Sequence, residues 1–277
     1  MLITTVSSLR NRLSDLANQD KKIGFVPTMG ALHEGHLSLI ERAYKENDIV
    51  VVSIFVNPTQ FNNLEDLEHY PRTLEKDMEL LSKKFHSILL FYPDFNEIYP
   101  KEDPFVPIDL GNLDTSLEGK HRPGHFKGVV HVVHNLFKIV RPNRAYFGQK
   151  DFQQVAVIRF MTKRYDFSIE IVACETKREQ SGLAMSSRNM RLSAVEKDEA
   201  LIIWETLNFV KQNKQNYQPD ELKNRAVDFF NSGKLKLEYL EIVDAESLSE
   251  ISNWNFEAVC CIAAYCGKVR LIDNLLF

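Results

Sequence analysis

Short apolar runs alternate with amphipathic stretches through the first 175 residues, and this alternation constrains the fold more than any other feature. The runs typical of buried strands cover residues 23–26, 49–56, 87–92, 145–147 and 169–174. The stretches typical of helices cover residues 37–45, 74–84, 129–140 and 152–164. Parallel strands need long crossover connections, usually helices, so this order predicts an α/β fold: a mostly parallel sheet with helices on both faces.

The pattern changes after about residue 176, where two helical stretches are followed by three strands. These elements are predicted, in order, at residues 193–214, 219–231, 236–243, 258–265 and 269–275. Ser193 and Glu196 form a capping-box signature at the start of the first of them. We therefore expect two domains, a Rossmann-like domain of residues 1–176 and a smaller α+β domain of residues 177–277.

The segment of residues 27–36 carries more chemistry than any other. It follows the first predicted strand and leads into the first predicted helix. Gly30 and Gly35 allow a tight turn and a close approach of the backbone to a ligand. His33 and His36 lie three residues apart where the helix begins, so both rings can point to the same side. Since a helix N-terminus favours phosphate, this segment predicts a nucleotide site where charge develops on phosphorus.

Zinc binding is one alternative for the two histidines. The order His33-Glu34-Gly35-His36 is one residue short of the His-Glu-x-x-His spacing, and no neighbouring Cys or acidic cluster completes a site. A pair of solvated surface histidines is the other alternative, and the glycine frame argues against it. We therefore favour imidazoles that face phosphate and stabilise charge or donate a proton as pyrophosphate leaves.

Composition argues against several classes of function. Lys and Arg are dispersed and the formal net charge is −4, so no nucleic-acid partner is expected. The first ten residues lack a secretory pattern, and the apolar run 49–56 is too short to cross a membrane. We expect a cytoplasmic protein. Neither Cys-x-x-Cys spacing nor a disulfide pattern is present among Cys174, Cys260, Cys261 and Cys266. The last three lie in or beside the apolar run 258–265, which predicts small buried side chains in a strand.

Polar motifs follow three of the predicted strands. His33 and His36 follow the first strand, Asn57 and Gln60 follow the second, and residues 148–151 follow the fourth. In open parallel sheets, ligands bind at the carboxyl ends of the strands. The three motifs are therefore expected to lie at one edge of the sheet.

Several motifs together resemble one enzyme family. The His-x-Gly-His spacing of residues 33–36 is similar to that of the nucleotidyltransferase superfamily, which includes the class I aminoacyl-tRNA synthetases. The longer string of residues 27–36 resembles the pantothenate synthetase (pantoate–β-alanine ligase) family. Further segments resemble this family in its order, and they cover residues 53–61, 70–73, 122–126, 148–154, 182–189 and 270–274. The resemblance extends over essentially the whole chain.

This resemblance implies an ATP-dependent ligase. (R)-pantoate and β-alanine would be joined into pantothenate through a pantoyl-adenylate intermediate, with release of AMP and pyrophosphate. The resemblance also implies a homodimer and a need for Mg²⁺, because the phosphate charges must be offset while one oxygen leaves. Residues 1–176 would bind ATP and pantoate, and residues 177–277 would form a lid that keeps water from the adenylate.

The resemblance also assigns residues to the substrates. ATP binding is expected from Met29, Gly30, Ala31, Leu32, His33, Glu34, Gly35, His36, Gly148, Gln149, Lys150, Asp151, Lys177, Met185, Ser186, Ser187 and Arg188. The expected catalytic residues are His33, His36 and Lys150, the last as a compact charge against a phosphate. Gln60 and Gln154 are expected to hold pantoate, and Gln60 also β-alanine, because a neutral amide both donates and accepts hydrogen bonds.

Some residues keep open alternatives. Lys177 stands where the family usually has a small apolar residue beside the adenine, so adenine affinity depends on whether the backbone makes that contact. Asp77 is a candidate for ordering metal or substrate, and the metal ligands are unassigned. A histidine-rich stretch could bind a metal, act in catalysis, or lie at the core edge or the surface; it comprises His121, His125, His131 and His134.

Two other functions are also open. A related adenylyltransferase would leave AMP attached to its product instead of releasing it. A non-catalytic nucleotide-binding module would bind ATP without forming pyrophosphate in the presence of pantoate. The intact His36, Lys150 and Ser187 argue against the second alternative.

Overall fold

The computed structural model describes residues 1–17, 20–101 and 105–277. The strands are β1 (Leu2–Ile3), β2 (Ile23–Thr28), β3 (Ile49–Ile54), β4 (Ile88–Phe91), β5 (Arg144–Gly148), β6 (Glu170–Cys174), β7 (Lys236–Asp244), β8 (Ala258–Cys266) and β9 (Val269–Leu276). The helices are α1 (Val6–Ala17), α2 (Glu34–Glu46), α3 (Leu64–Glu68), α4 (Leu74–Lys84), α5 (Phe95–Ile98), α6 (Asn112–Thr115), α7 (Leu117–His121), α8 (His125–Val140), α9 (Phe152–Arg164), α10 (Ala194–Glu199), α11 (Leu201–Asn213) and α12 (Pro219–Phe230). Short 3₁₀ turns cover Pro58–Gln60, Gln149–Asp151 and Ser187–Arg191.

The first six strands form one parallel sheet in the order β1-β4-β3-β2-β5-β6. Val26 of β2 lies opposite Val52 of β3, and Phe25 lies opposite Ala145 of β5 on the other side of β2. The strand order reverses between β2 and β5, which is where ligands bind in sheets of this kind. The predicted parallel α/β fold is confirmed; the two-residue strand β1 is an addition, since it is too short to show a periodic pattern.

Helices cover both faces of the parallel sheet, as predicted. Successive side chains of a strand point to opposite faces, so Phe25 and Val26 face different layers. Val26 packs with Leu37 and Ile40 of α2 in one buried cluster. On the other face, the ring of Phe25 meets that of Phe137 of α8, with the centroids 6.4 Å apart.

The last three strands form a separate antiparallel sheet in the order β7-β8-β9. Helices α11 and α12 pack against it through a buried cluster that includes Leu207, Phe230 and Ile262. The prediction of a smaller α+β unit is confirmed, whereas the single helix predicted for residues 193–214 is wrong. The structure has α10 and α11 there, because Ala200, with ψ −14°, leaves the regular α-helical geometry. All four cysteines are buried free thiols, as predicted for Cys260, Cys261 and Cys266.

Backbone contacts divide the chain into two compact units, and neither is continuous in sequence. The first unit comprises residues 1–110, 122–149 and 154–175. The second comprises residues 111–121, 150–153 and 176–277, so two short segments that precede residue 176 fold with the antiparallel sheet. Within the part of the chain that the structure describes, no helix has the length and apolar character needed to cross a membrane.

Candidate active site

A buried carboxylate holds the turn that follows β2. Gly30 and Ala31 both have positive φ, of 80° and 50°. Oδ2 of Asp77, from the first turn of α4, accepts the Ala31 N–H at 3.0 Å, and Oδ1 accepts the Leu32 N–H at 2.8 Å. The Thr73 hydroxyl donates to the same carboxylate at 3.2 Å. These bonds satisfy the backbone of a turn whose left-handed alanine is intrinsically strained.

Asp77 is only 2% exposed, and the protein itself supplies its hydrogen-bond donors. Burial raises the pKa of its carboxyl, although the bonds from Leu32, Ala31 and Thr73 act to lower it. A carboxylate engaged by two backbone donors is better suited to bracing the turn than to holding a metal. A cavity of about 310 Å³ borders this turn and is lined in part by Met29, Gly30 and Asp77.

His33 and His36 cap the start of α2 with their own rings. Nδ1 of His33 accepts the Gly35 N–H at 3.1 Å, and Nδ1 of His36 accepts the His33 N–H at 3.4 Å. The ring centroids lie 4.1 Å apart, so the structure brings the two imidazoles together. A neutral ring that accepts through Nδ1 carries its proton on Nε2. This inferred tautomer makes Nε2 of each ring a hydrogen-bond donor.

Gln60 lies beyond the end of β3 in the turn Pro58–Gln60, and its amide has a defined orientation. Its Oε1 accepts a hydrogen bond from Nδ2 of Asn57 at 3.1 Å, and its Nε2 faces Sδ of Met29 at 3.0 Å. Asn57 is 1% exposed and its Oδ1 accepts the Tyr99 hydroxyl at 2.8 Å. The donor end of the Gln60 amide is therefore the end turned toward the motif that follows β2.

Helix α8 supports the turn that carries Gln60. The Gln60 carbonyl oxygen lies 2.8 Å from Nδ1 of His125, at the start of α8. One turn later, a Cβ on Gly128 would lie 2.4 Å from the Thr59 carbonyl oxygen, so only glycine permits this approach. Nδ2 of Asn57 also donates to the Gly128 carbonyl at 3.3 Å.

Of the remaining predicted residues of the first unit, three lie around β5 and α9, and Glu34 lies at the start of α2. Gly148 ends β5 and Gln149 follows it, while Gln154 lies partly exposed in the first turn of α9. Glu34 of α2 is exposed and forms an ion pair with Lys84 at 2.8 Å. These positions follow the strand ends, as the sequence predicts.

The other predicted ATP residues belong to the second unit. Lys150 lies in the turn Gln149–Asp151, with the exposed Asp151 next to it. The carbonyl of the exposed Lys177 accepts the Met185 N–H at 2.9 Å, which closes a hairpin. Ser186 caps the turn Ser187–Arg191 by accepting the Arg188 N–H at 3.3 Å. The structure thus brings Lys177 together with residues 185–188, through the backbone.

The histidine-rich stretch separates into different environments. His125 supports Gln60, whereas the His131 ring stacks on Phe105 with centroids 4.1 Å apart, and the His134 ring lies 4.5 Å from that of Tyr165. Burial, and then the charge of His134, lower the pKa of His131. In the described residues no group of three or more His, Cys, Asp or Glu is placed to hold a metal ion. The stretch is mainly a core-edge feature.

Two contributors were not identified from the sequence in these roles. The sequence marks Asp77 as a candidate for ordering metal or substrate, but the backbone groups that it accepts from lie 45 and 46 residues away, which no local pattern reveals. Tyr99 holds Asn57 across 42 residues, and burial raises the pKa of its hydroxyl to about 12. The one local signal for the role of Asp77 is its position, as an acidic residue, in the first turn of α4.

Comparisons with known proteins identify the family of this chain. Residues 1–276 match the family model of pantoate-beta-alanine ligase. Pantothenate synthetase of Phocaeicola vulgatus is 50% identical over 100% of this chain and 99% of its own length. That of Cytophaga hutchinsonii is also 50% identical, over 99% of this chain and 98% of its own.

Solved structures give the same result. The Thermus thermophilus pantothenate synthetase has a TM-score of 0.91 at 42% identity and covers 99% of this chain and 98% of its own. The Francisella tularensis pantoate-beta-alanine ligase, solved in complex with beta-gamma ATP and β-alanine, has a TM-score of 0.82 at 39% identity over 100% of this chain and 97% of its own. On the match of its whole length and fold, the chain belongs to the pantoate–β-alanine ligase family.

Proposed function

We propose that the chain joins (R)-pantoate and β-alanine into pantothenate, using ATP and releasing AMP and pyrophosphate. The observation that carries this proposal is the pair of histidine caps at the start of α2. It presents two imidazoles and a helix N-terminus at the switch point of the sheet, in a member of this ligase family.

The first step forms a mixed anhydride. An oxygen of the pantoate carboxylate attacks the α-phosphorus of ATP, the bond to the bridging oxygen breaks, and pyrophosphate leaves. His33 and His36 are proposed to donate hydrogen bonds through Nε2 while negative charge builds on the phosphate oxygens. Their caps hold both rings before the substrate arrives, so little reorganisation is needed during the reaction.

Gln60 and Gln154 are proposed to hold pantoate. Because Asn57 occupies Oε1 of Gln60, the Gln60 amide offers its Nε2 donor to an oxygen of pantoate or of β-alanine. The Tyr99 hydroxyl holds Oδ1 of Asn57, which leaves Nδ2 of Asn57 directed at Oε1 of Gln60, and His125 holds the Gln60 backbone carbonyl. A fixed donor of this kind holds a carboxylate at a set distance from the phosphate it attacks.

The second step forms the amide. The neutral amine of β-alanine attacks the carbonyl carbon of pantoyl adenylate, the bond to the phosphate oxygen breaks, and AMP leaves as the nitrogen loses a proton. AMP is already a good leaving group, so this step depends less on the histidines than the first one does.

Residues of the second unit are proposed to bind ATP as well. Lys150 supplies a point charge for a phosphate, and Ser186, Ser187 and Arg188 supply hydroxyl and cationic donors. The Lys177 carbonyl and the Met185 N–H bond to each other. Adenine recognition through this hairpin therefore uses other backbone groups or the Lys177 side chain.

Mg²⁺ is proposed to enter with the triphosphate. Mg²⁺ commonly keeps several waters and binds mainly to substrate phosphates, with one or two carboxylates at most. The described residues contain no dedicated cluster of carboxylates, and Asp77 is engaged by backbone donors. We therefore propose that the phosphates of ATP are the main ligands of Mg²⁺.

A product assay tests the proposed function. The purified chain is incubated with ATP, (R)-pantoate and β-alanine, and AMP, pyrophosphate and pantothenate are quantified. Equal amounts of the three products are expected, with no pyrophosphate when pantoate is omitted. An AMP-bearing product without free AMP would indicate an adenylyltransferase, and ATP binding without pyrophosphate would indicate a silent module.

We also propose a cytoplasmic homodimer. The dimer is inferred from the family resemblance, and a cytoplasmic location is supported by the four cysteines, all buried free thiols, as is usual in a reducing compartment. Light scattering of the full chain at micromolar concentration is expected to give twice the chain mass of 32.1 kDa. A monomer mass at this concentration would contradict the dimer.

A further inference from the structure

The C-terminal segment 270–274 resembles the ligase family but has no role in the proposed chemistry. Asp273 and Asn274, in β9, are 4% and 5% exposed, which is unusual for an acidic and an amide side chain. Buried polar groups are kept only where they meet specific partners. Their partners are therefore informative.

Asn274 is bonded to the turn that carries Lys150. Its Nδ2 donates to the Lys150 carbonyl oxygen at 2.7 Å, across 124 residues of sequence. This contact fixes the backbone of Lys150 directly. The Lys150 side chain therefore extends from a backbone position that is fixed. Both residues belong to the second unit.

Asp273 is bonded to the hairpin that carries Lys177 and Met185. Nη1 and Nη2 of Arg178 donate to Oδ2 and Oδ1 of Asp273 at 2.5 and 3.0 Å, a bidentate pair that is 16% and 3% exposed at the side chains. A bidentate pair fixes the plane of the guanidinium as well as its position.

Trp204 completes the attachment of the hairpin. The guanidinium carbon of Arg178 lies 3.7 Å from the centre of the Trp204 ring, a cation–π contact. Gly182 has φ 101°, and a Cβ there would lie 2.1 Å from Cδ1 of Trp204, so the hairpin turn requires glycine. The hairpin is therefore held from both sides, by β9 and by α11.

We propose that Asp273 and Asn274 are positioning residues for ATP, which set the spacing between Lys150 and the hairpin of residues 177–185. Two adjacent residues of one strand hold two separate segments to which the proposed function assigns ATP contacts. A strand backbone is stiff, so β9 sets the distance between the two segments. This inference rests on the proposed function, since that assigns ATP to these segments.

The test measures ATP binding directly, by calorimetry with ATP and Mg²⁺ on the full chain. Asn274→Ala removes the bond to Lys150, and Arg178→Lys keeps the charge but loses the bidentate pair. We expect Asn274→Ala to weaken ATP binding about 3–10-fold and Arg178→Lys about tenfold or more. The KM for pantoate is expected to stay within about twofold, because the pantoate residues are Gln60 and Gln154.

Glu241→Gln is the matched control. Glu241 lies on β7, at the edge of the sheet opposite β9, and forms an ion pair with Lys223 of α12. Its replacement therefore tests the general effect of breaking an ion pair. ATP affinity unchanged in both folded variants would overturn the proposal, as would equal losses for ATP and pantoate. If Arg178→Lys fails to fold, Asn274→Ala decides alone. A wild-type chain that binds no ATP would instead overturn the proposed function.

Discussion

The two motif histidines act as helix caps as well as candidate proton donors. Ser, Thr, Asp and Asn are the usual N-cap residues, and Glu or Gln usually completes a capping box three residues later. Here His33 and His36 take both places, so that the fold and the proposed chemistry use the same rings. Replacement by alanine would remove the cap and the donor together, whereas replacement of His36 by glutamine keeps a capping group.

The first prediction separates the two half-reactions. His36→Ala and Lys150→Ala are expected to slow pyrophosphate release by on the order of 10²–10³-fold, the effect of losing one preorganised donor. With preformed pantoyl adenylate and β-alanine, the same variants should form pantothenate at close to the normal rate. Rapid-quench measurement of each step checks this. Equal slowing of both steps would show that these residues hold the whole site together.

The second prediction concerns the two pantoate amides. Gln60→Ala or Gln154→Ala should remove about 1–3 kcal/mol of pantoate or transition-state binding, because polar groups are left unpaired. ATP affinity should be nearly unchanged, and steady-state kinetics with calorimetry measure both. Gln153→Ala is the control: Gln153 is 4% exposed and bonds Glu118, Leu113 and Ser116, so its loss should lower stability instead.

Among the elements, α8 combines support for the site with core packing. Its first residue contacts Gln60, Gly128 permits the close approach to Thr59, and Phe137 packs on the sheet. The outer side of the helix carries His131, which stacks on Phe105 and packs against Tyr99. The same helix therefore carries both His125, which contacts Gln60, and His131, which packs among the rings of Tyr99 and Phe105.

The third prediction is a pH dependence of stability. Burial lowers the folded-state pKa of His131 below 6.5, so the unfolded chain binds more protons between that lowered pKa and about 6.5. The contribution of His131 to the free energy of unfolding is present above pH 6.5 and is lost as the pH falls. His131→Phe should show a smaller loss of stability from pH 7.5 to pH 5 in urea titrations.

The wild-type chain, unfolded by urea at the same pH values, is the reference for this prediction. A pH dependence of His131→Phe identical to that of the wild type would show that the folded and unfolded chains protonate His131 alike.

At the scale of the whole molecule, the second unit is assembled from segments that are far apart in sequence. Arg270 of β9 contacts both oxygens of Glu118 in α7, at 2.9 and 2.7 Å, and also contacts Glu238 of β7 at 2.5 Å. Burial acts to lower the pKa of Arg270, and the bonds and charges of the two carboxylates outweigh it and raise it. Tyr239 donates to Glu118 at 2.8 Å. This network joins residues 111–121 to the antiparallel sheet.

The fourth prediction tests that network. Arg270→Met should destabilise the chain by about 3–5 kcal/mol, because it leaves the buried Glu118 and the partly buried Glu238 without the arginine that pairs with both. Urea unfolding measures the loss, and a second change, Glu118→Gln, should recover part of it. Arg225→Met, which breaks an exposed pair with Glu221, should cost no more than about 1 kcal/mol. Equal losses for the two arginines would contradict a buried network.

Much of the fold could be predicted because strand and helix periods are local properties. The runs at 23–26 and 49–56 appear as β2 and β3, and the stretch at 129–140 lies within α8. The prediction of one helix over residues 193–214 is wrong. The apolar pattern continues through Ala200, but the helix is interrupted there, between α10 and α11. A hydrophobic pattern specifies which face is buried and does not specify where one helix ends and the next begins.

By itself, the sequence determined the α/β order, the buried thiols, and the motif that brings His33 and His36 to the start of a helix. Each of these depends on residues close together in the chain. Only the tertiary structure decided that Asp77 accepts hydrogen bonds from the turn after β2, that residues 111–121 fold with residues 176–277, and that Asn274 donates a hydrogen bond to the Lys150 carbonyl. These contacts span 45 to 152 residues of sequence. No local pattern encodes them, because they form only when the packed sheets bring distant segments within hydrogen-bonding distance.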